Sequence, residues 1–99
     1  MDYSFTKQQL ILEIVYVQSL IFKLLPYFEE GYEYLDDYFE SVLQRLDGLN
    51  IVLKHPPEMM SVIALVELAR VTECKTKFRK LILDACGILN LIKERDPIA

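Results

Sequence analysis

The chain has 99 residues, a formal net charge of −4 and a pI near 4.9. Its length predicts a single domain over residues 1–99, with no room for a second core. Its acidity argues against a non-specific nucleic-acid binder, since such proteins carry positive charge to meet the phosphates.

The apolar content is high for so small a chain, with 53% of the residues hydrophobic when tyrosine is counted. Short chains bury a smaller fraction of their surface on folding than long ones do. We therefore expect part of the apolar surface to stay uncovered in the monomer. This predicts a homo-oligomer, most simply a dimer, and a protein partner.

Several features favour a cytoplasmic protein without membrane association. The first residues are polar and mixed in charge, unlike a signal peptide. The apolar stretch 10–25 contains Glu13 and Lys23, and it is shorter than the roughly 20 residues that span a bilayer. If Cys74 and Cys86 share one helix, they lie about 18 Å apart, which is too far for a disulfide. We expect both thiols to be reduced and buried.

The first predicted helix has clear start and stop signals. Thr6 and Gln9 form the spacing of a capping box, and Pro26 disfavours helical geometry at Leu25. We therefore expect the helix to end near Leu25. Its apolar residues cover most of its circumference, which predicts a central or interface helix.

The second predicted helix runs from Tyr27 or Tyr32 to Asp47, with Gly48 as a left-handed cap. Its apolar residues recur every three or four positions, a spacing typical of helices that pack side by side at shallow angles. This first stripe consists of Phe28, Tyr32, Leu35, Phe39, Val42, Leu46 and Leu49.

The third predicted helix begins at Pro57, after a loop over residues 50–57, because proline suits the first turn of a helix. An apolar segment over 59–71 leads into a second stripe, and two alternatives remain. One helix of roughly 40 residues continues, or the chain breaks near residues 72–76, which we favour because domain helices average about 11–12 residues. The second stripe consists of Val71, Cys74, Phe78, Leu81, Ala85, Ile88 and Ile92.

These elements predict an all-α fold, a small up-and-down bundle of four helices, with one long kinked helix in place of the third and fourth as the alternative. Residues 10–25 and 59–71 are expected to be its most buried parts.

No pattern of catalytic chemistry accompanies the helices. His55 is the only histidine, and Cys74 and Cys86 are too far apart along a helix to share one zinc ion with it. The three glycines are scattered singly, so no phosphate loop is present. The sequence therefore predicts no enzyme, no cofactor, no metal site and no small-molecule substrate.

An acidic, tyrosine-rich segment is the best candidate for binding a partner. Carboxylates attract a basic partner, and tyrosine combines a large contact area with a polar tip. The simpler alternative is a solvated helix face at the edge of the bundle. The predicted partner-binding residues are Glu29, Glu30, Glu33, Tyr34, Asp36, Asp37, Tyr38 and Glu40.

Self-association is assigned to the apolar face of the first helix or to the second stripe. The predicted residues are Leu10, Ile14, Val17, Ile21, Phe78, Leu81, Ile88 and Ile92.

Together these features predict a non-enzymatic protein–protein interaction module, such as a small regulator, inhibitor or adaptor. The first alternative is a structural subunit of a larger assembly. The second is a nucleic-acid-associated regulator that uses the basic residues Lys75, Lys77, Arg79 and Lys80, although the acidic half of the chain makes nucleic acid an unfavourable partner.

Overall fold

The computed structural model describes residues 6–95, and these form helices joined by short turns, with no strand in that range. The elements are α1 (Lys7–Phe22), α2 (Leu24–Glu29), α3 (Leu35–Val52), α4 (Pro57–Arg70) and α5 (Lys75–Glu94). Because α1 and α2 are two segments of one kinked helix, the described chain is a bundle of four helices. The predicted all-α class is confirmed.

The start of α1 is capped as the sequence predicts. The hydroxyl oxygen of Thr6 accepts a hydrogen bond from the Gln9 amide at 3.1 Å, and the Thr6 amide donates to the Gln9 side chain at 2.8 Å. Two amides that the helix leaves without partners are thereby satisfied.

The first helix ends at Phe22, three residues before the predicted end near Leu25, and the chain then continues in a second helical segment that was not predicted. Pro26 has no amide hydrogen to donate to the carbonyl of Phe22, and the chain turns at Lys23. The helix then restarts as α2, in whose first turn a proline is tolerated. Gly31, with a φ of 68°, ends this segment in the left-handed conformation that favours glycine.

The bounds of α3 also differ from the prediction. It begins at Leu35, and it continues through Gly48 to Val52, so Gly48 is not a left-handed cap. Leu49 and Leu53 are buried beyond the glycine, and their packing favours the extra helical turn. The chain turns instead after Leu53, where Lys54 and His55 have positive φ values.

The end of α4 settles the two alternatives for the second half of the chain. Pro57 starts the helix as predicted, and the chain breaks after Arg70. The Thr72 hydroxyl donates to the Leu68 carbonyl at 2.7 Å, and the Thr72 amide donates to the Ala69 carbonyl at 3.1 Å. These bonds satisfy carbonyls of the last turn. Cys74 then caps α5 in an extended conformation.

Neighbouring helices run antiparallel in the order α1, α3, α4, α5 and back to α1. Contacts join each of these pairs, whereas α1 and α4 do not contact each other and lie on opposite sides of the bundle. At least one side-chain link crosses each interface, for example Tyr38 to Leu20, Arg70 to Asp36, Arg95 to Glu58 and Gln18 to Asn90. The predicted up-and-down arrangement is confirmed.

The core takes one face of every helix. The buried residues include most of both predicted stripes, from Phe39 to Leu49 in α3 and from Phe78 to Ile92 in α5. Segments 10–25 and 59–71 are not buried all round as predicted. Leu12 is 60% exposed and Met60 is 64% exposed, so each segment buries one apolar face and leaves another in solvent.

One helical stretch among the described residues, Lys7–Glu29, is long and apolar enough by composition to cross a membrane, and 33% of its most apolar window is buried in the structure. A single stretch of this kind near the N-terminus is equally typical of a core helix or a signal sequence. The expected absence of membrane association stays a prediction.

Candidate functional site

The predicted partner-binding residues lie at the end of the bundle where α2 turns into α3. After Gly31 the chain is held by backbone bonds, since the Tyr32 amide donates to the Tyr27 carbonyl at 2.9 Å and the Leu35 amide donates to the Tyr32 carbonyl at 3.2 Å. The acidic residues before and after the turn are therefore brought to one corner of the molecule.

Aromatic rings contact one another at this corner, some of them half-buried and others exposed. The Tyr27 ring lies 4.7 Å from the Tyr32 ring and 5.1 Å from the Tyr38 ring, and the Tyr32 ring lies 5.8 Å from that of Tyr34. Phe28 stacks on Phe78 of α5 at 4.0 Å, which holds α2 against the bundle. Ring contacts of this kind fix the turn in place.

Tyr38 is one of the predicted binding residues, and the structure uses it for packing. It is half-buried, and its hydroxyl donates to the Leu20 carbonyl at 2.9 Å. Desolvation, together with the nearby Tyr27 and Tyr16, raises the pKa of Tyr38 to about 12. Its hydroxyl therefore remains a hydrogen-bond donor at neutral pH.

Three of the predicted carboxylates are engaged within the molecule. Arg70 of α4 donates to both oxygens of Asp36 at 2.7 and 2.8 Å and to Glu40 at 3.1 Å. Hydrogen bonding from this guanidinium lowers the pKa of Asp36 below its ordinary value. Glu29 lies 3.9 Å from Arg79 of α5. These residues join helices to one another.

The remaining predicted residues are Glu30, Glu33, Tyr34 and Asp37, and all four are exposed. Within residues 6–95 the three carboxylates make no side-chain hydrogen bond or ion pair. Tyr34 is 56% exposed and Tyr32, which the sequence assigned to the core stripe, is 41% exposed. We call these five residues the free corner. They present unpaired negative charge beside two phenol rings.

A groove between α1 and α3 begins at Tyr38, next to this corner, and no pattern in the sequence predicted it. One part of the groove has a volume of about 400 Å³ and is lined by Tyr16, Leu20 and Tyr38. A second part has a volume of about 330 Å³ and includes Leu10 in its lining. Arg45 borders both parts, with its guanidinium 5.2 Å from the Tyr16 ring centre.

The predicted self-association residues lie inside the monomer. Seven of them are buried in the core and Ile88 is half-buried, so these side chains already have partners within the chain. The monomer therefore leaves little of these side chains for a second copy to contact, and their role in self-association stays a prediction. The most regular apolar face of a helix is the one that the monomer's own core uses. The seven buried residues are Leu10, Ile14, Val17, Ile21, Phe78, Leu81 and Ile92.

The basic residues of α5 lie at the same end of the bundle as the free corner. Lys75 and Lys77 are exposed and make no side-chain bond with any described residue. Arg79 lies near Glu29, and Lys80 donates to Asp84 at 3.1 Å. Half of this group is therefore neutralised within the molecule.

The two cysteines are free and differ in environment. Cys86 is buried as predicted, and desolvation raises its pKa to about 11. Cys74 is exposed, so the prediction of a buried thiol is wrong there, because the chain break places it at the start of α5. His55 lies exposed in the α3–α4 turn. Across residues 6–95 no group of three or more His, Cys, Asp or Glu side chains is placed to hold a metal ion.

Comparison with family models, curated proteins and solved structures finds no significant match for this chain.

Proposed function

We propose that this protein is a non-enzymatic interaction module, a small regulator, inhibitor or adaptor that binds a basic segment of a partner protein in the cytoplasm. The observation that carries the proposal is the free corner, where three unpaired carboxylates and two exposed tyrosine rings are held by an ordered turn.

The chemistry of the free corner suits lysine and arginine side chains. Carboxylates without partners attract cations and speed the encounter of complementary surfaces. The faces of Tyr32 and Tyr34 add cation–π contacts. A partner segment that carries apolar residues beside its cations would place them in the groove between α1 and α3, which begins next to Tyr38.

A charge-reversal pair tests this proposal. The probe is a labelled synthetic peptide rich in lysine and leucine, and its binding is measured by fluorescence anisotropy. We expect Glu33→Lys with Asp37→Lys to raise the Kd by about tenfold or more, because attraction to the corner becomes repulsion.

The matched control is Asp47→Lys with Glu94→Lys, which changes the net charge equally at exposed carboxylates away from the corner. A smaller rise in Kd for this control supports a local site. Equal weakening in both double variants would show that only net charge matters, and the proposed site would then be wrong. If the peptide does not bind the wild-type chain, the proposed site is also wrong.

A second candidate is a structural subunit of a larger assembly, and one observation favours it. Apolar side chains are exposed on opposite sides of the bundle, such as Leu12 at 60% on α1 and Val71 at 75% beyond α4. Permanent burial of both sides requires more than one neighbour. Insolubility or polydispersity of the purified chain, measured by light scattering, would favour this candidate.

A further inference from the structure

The outer side of α4 carries an uncovered apolar face, which we call the α4 face. It consists of Met60, Ala64, Leu68 and Val71, where Val71 is the residue that follows the helix. Met60 is 64%, Leu68 is 47% and Val71 is 75% exposed, and Val71 has the highest exposure among the large exposed hydrophobic residues of the described chain.

The opposite side of α4 is already in the core, through Met59, Val62, Val66 and Ala69. A helix that is apolar on two sides is normally covered on two sides. Within residues 6–95, α4 packs on α3 and α5 and has no contact with α1, so no element of the monomer covers the α4 face.

The charges at the two ends of the α4 face have opposite signs. Lys54 precedes the helix and Glu73 follows it, and both are exposed with no side-chain bond to any described residue. An antiparallel copy of the same helix would bring Lys54 of one chain to the end that carries Glu73 of the other. In an antiparallel pair the two helix dipoles also point in opposite directions, which is the favourable arrangement.

The side chains of the α4 face suit such a pairing. With Ala64 at the two-fold axis, Met60 of one copy lies level with Leu68 of the other. Ser61 and Ala64 are small and exposed at the centre, which allows the two helices to approach closely. The exposed Glu67 lies at the edge of the face, where it is level with Ser61 of the other copy. A two-fold contact between identical faces closes after two chains and leaves no free end.

The apolar face of α1 suits a second copy less well. Leu12 on this face is 60% exposed, whereas Val15, Tyr16 and Phe22 are only 43–45% exposed. The guanidinium of Arg45 already lies over the Tyr16 ring, and Glu13 lies 3.9 Å from Arg45. Part of this face therefore has a charged neighbour within the monomer.

We propose that two copies of this chain form a symmetric dimer through the α4 face, with the two α4 helices antiparallel. The inference makes specific the self-association expected of an interaction module, and it rests on residues outside the free corner. In the dimer each copy keeps its own free corner at the end of the bundle.

Light scattering behind a sizing column, over a dilution series of the full chain, tests the dimer. We expect the wild-type mass to approach twice 11.6 kDa. Ala64→Arg places a cation opposite itself at the two-fold axis, and we expect it to raise the dimer Kd on the order of 100-fold. Met60→Lys is a second variant that should act in the same direction, and circular dichroism verifies that each variant keeps its helices.

The matched control is Leu12→Arg on α1, which places the same charge on the other apolar face and should leave the dimer intact. A second test uses charge: Lys54→Glu alone and Glu73→Lys alone should each weaken the dimer, and their combination on one chain should restore it. Three results would overturn the proposal. The wild-type chain could be a monomer, the dimer could be lost in Leu12→Arg, or the mass could grow without limit because α1 faces pair with α4 faces. None of these results affects peptide binding at the free corner. The dimer and the proposed function are therefore tested independently.

Discussion

Gln18 is the only polar residue that the described structure buries in the core. Its side-chain amide donates to the Cys86 carbonyl at 3.0 Å and to the Asn90 side-chain oxygen at 2.9 Å. A buried amide without partners destabilises the fold, so these two bonds offset the loss of water. They also set the register between α1 and α5, 68 and 72 residues away along the chain.

We expect Gln18→Ala to lower the free energy of unfolding by about 1–3 kcal/mol, because it removes both bonds and leaves a cavity. Gln18→Leu should cost less, since it refills the volume and Asn90 is exposed enough to bind water instead. Urea unfolding followed by circular dichroism measures both, with the exposed Gln44→Ala as a near-neutral control. If Leu is as costly as Ala, the hydrogen bonds matter more than packing.

At the scale of single elements, two glycines have opposite roles. Gly48 lies inside α3, and a Cβ built there meets no atom within 4 Å. Gly31 has equally open surroundings but a φ of 68°. Open space therefore does not decide the effect of a substitution at these positions, and backbone conformation does.

We expect Gly48→Ala to raise the free energy of unfolding by about 0.5–1 kcal/mol, since alanine loses less backbone freedom in a helix. Gly31→Ala should lower it by about 1–2 kcal/mol, the cost of a left-handed residue with a side chain. Thermal unfolding compares the two, and Gly87→Ala in α5 should follow Gly48→Ala. A destabilised Gly48→Ala would mean that α3 does not continue through residue 48.

Two arginines join helices through carboxylates. Arg70 links α4 to Asp36 of α3, and Arg95 donates to Glu58 of α4 at 2.7 Å. Hydrogen bonds from these guanidinium groups lower the pKa of Asp36 from 3.8 and of Glu58 from 4.5, and the backbone amide of Glu58 adds to the second effect. The folded state thus holds both carboxylates in their charged form.

Because both pKa values are lower in the folded state, the two bridges contribute fully to stability above the unfolded values of 3.8 and 4.5. This contribution is lost as the pH falls below those values and through the lower pKa values of the folded state. We expect the urea concentration at the midpoint of unfolding to fall as the pH is lowered below the unfolded pKa values. Asp36→Asn with Glu58→Gln should show a shallower fall, whereas Asp47→Asn should follow the wild type. Parallel curves for all three chains would rule out the two bridges as the cause.

For the whole molecule, the proposed surfaces occupy different places. The free corner lies at the end of the bundle, and the α4 face lies along one side. Pairing through α4 would therefore display two free corners on one particle. Two linked sites bind a partner with repeated basic segments more tightly than either site alone.

The overall architecture could be read from the sequence in large part, and the exceptions have physical causes. The capping box at Thr6, the start at Pro57 and the break after Arg70 follow from local chemistry and were predicted. Near Leu25 the structure has a break at Lys23 followed by the short helix α2, whose first turn accommodates Pro26. The predicted cap at Gly48 is wrong, since the packing of Leu49 and Leu53 favours a further turn of α3. The left-handed turn at Lys54 and His55 has no typical residue to indicate it.

The helical class, the stripes that become the core, and the acidic, tyrosine-rich segment can all be read from residue spacing within a few turns of one helix. Which carboxylates are free depends on the tertiary structure, because Arg70 reaches Asp36 from 34 residues away. The tertiary structure also buries most of the core stripes within the monomer, so the pairing surface that we propose is the α4 face instead. An apolar stripe is the same sequence signal whether its partner is another helix of the chain or a second molecule.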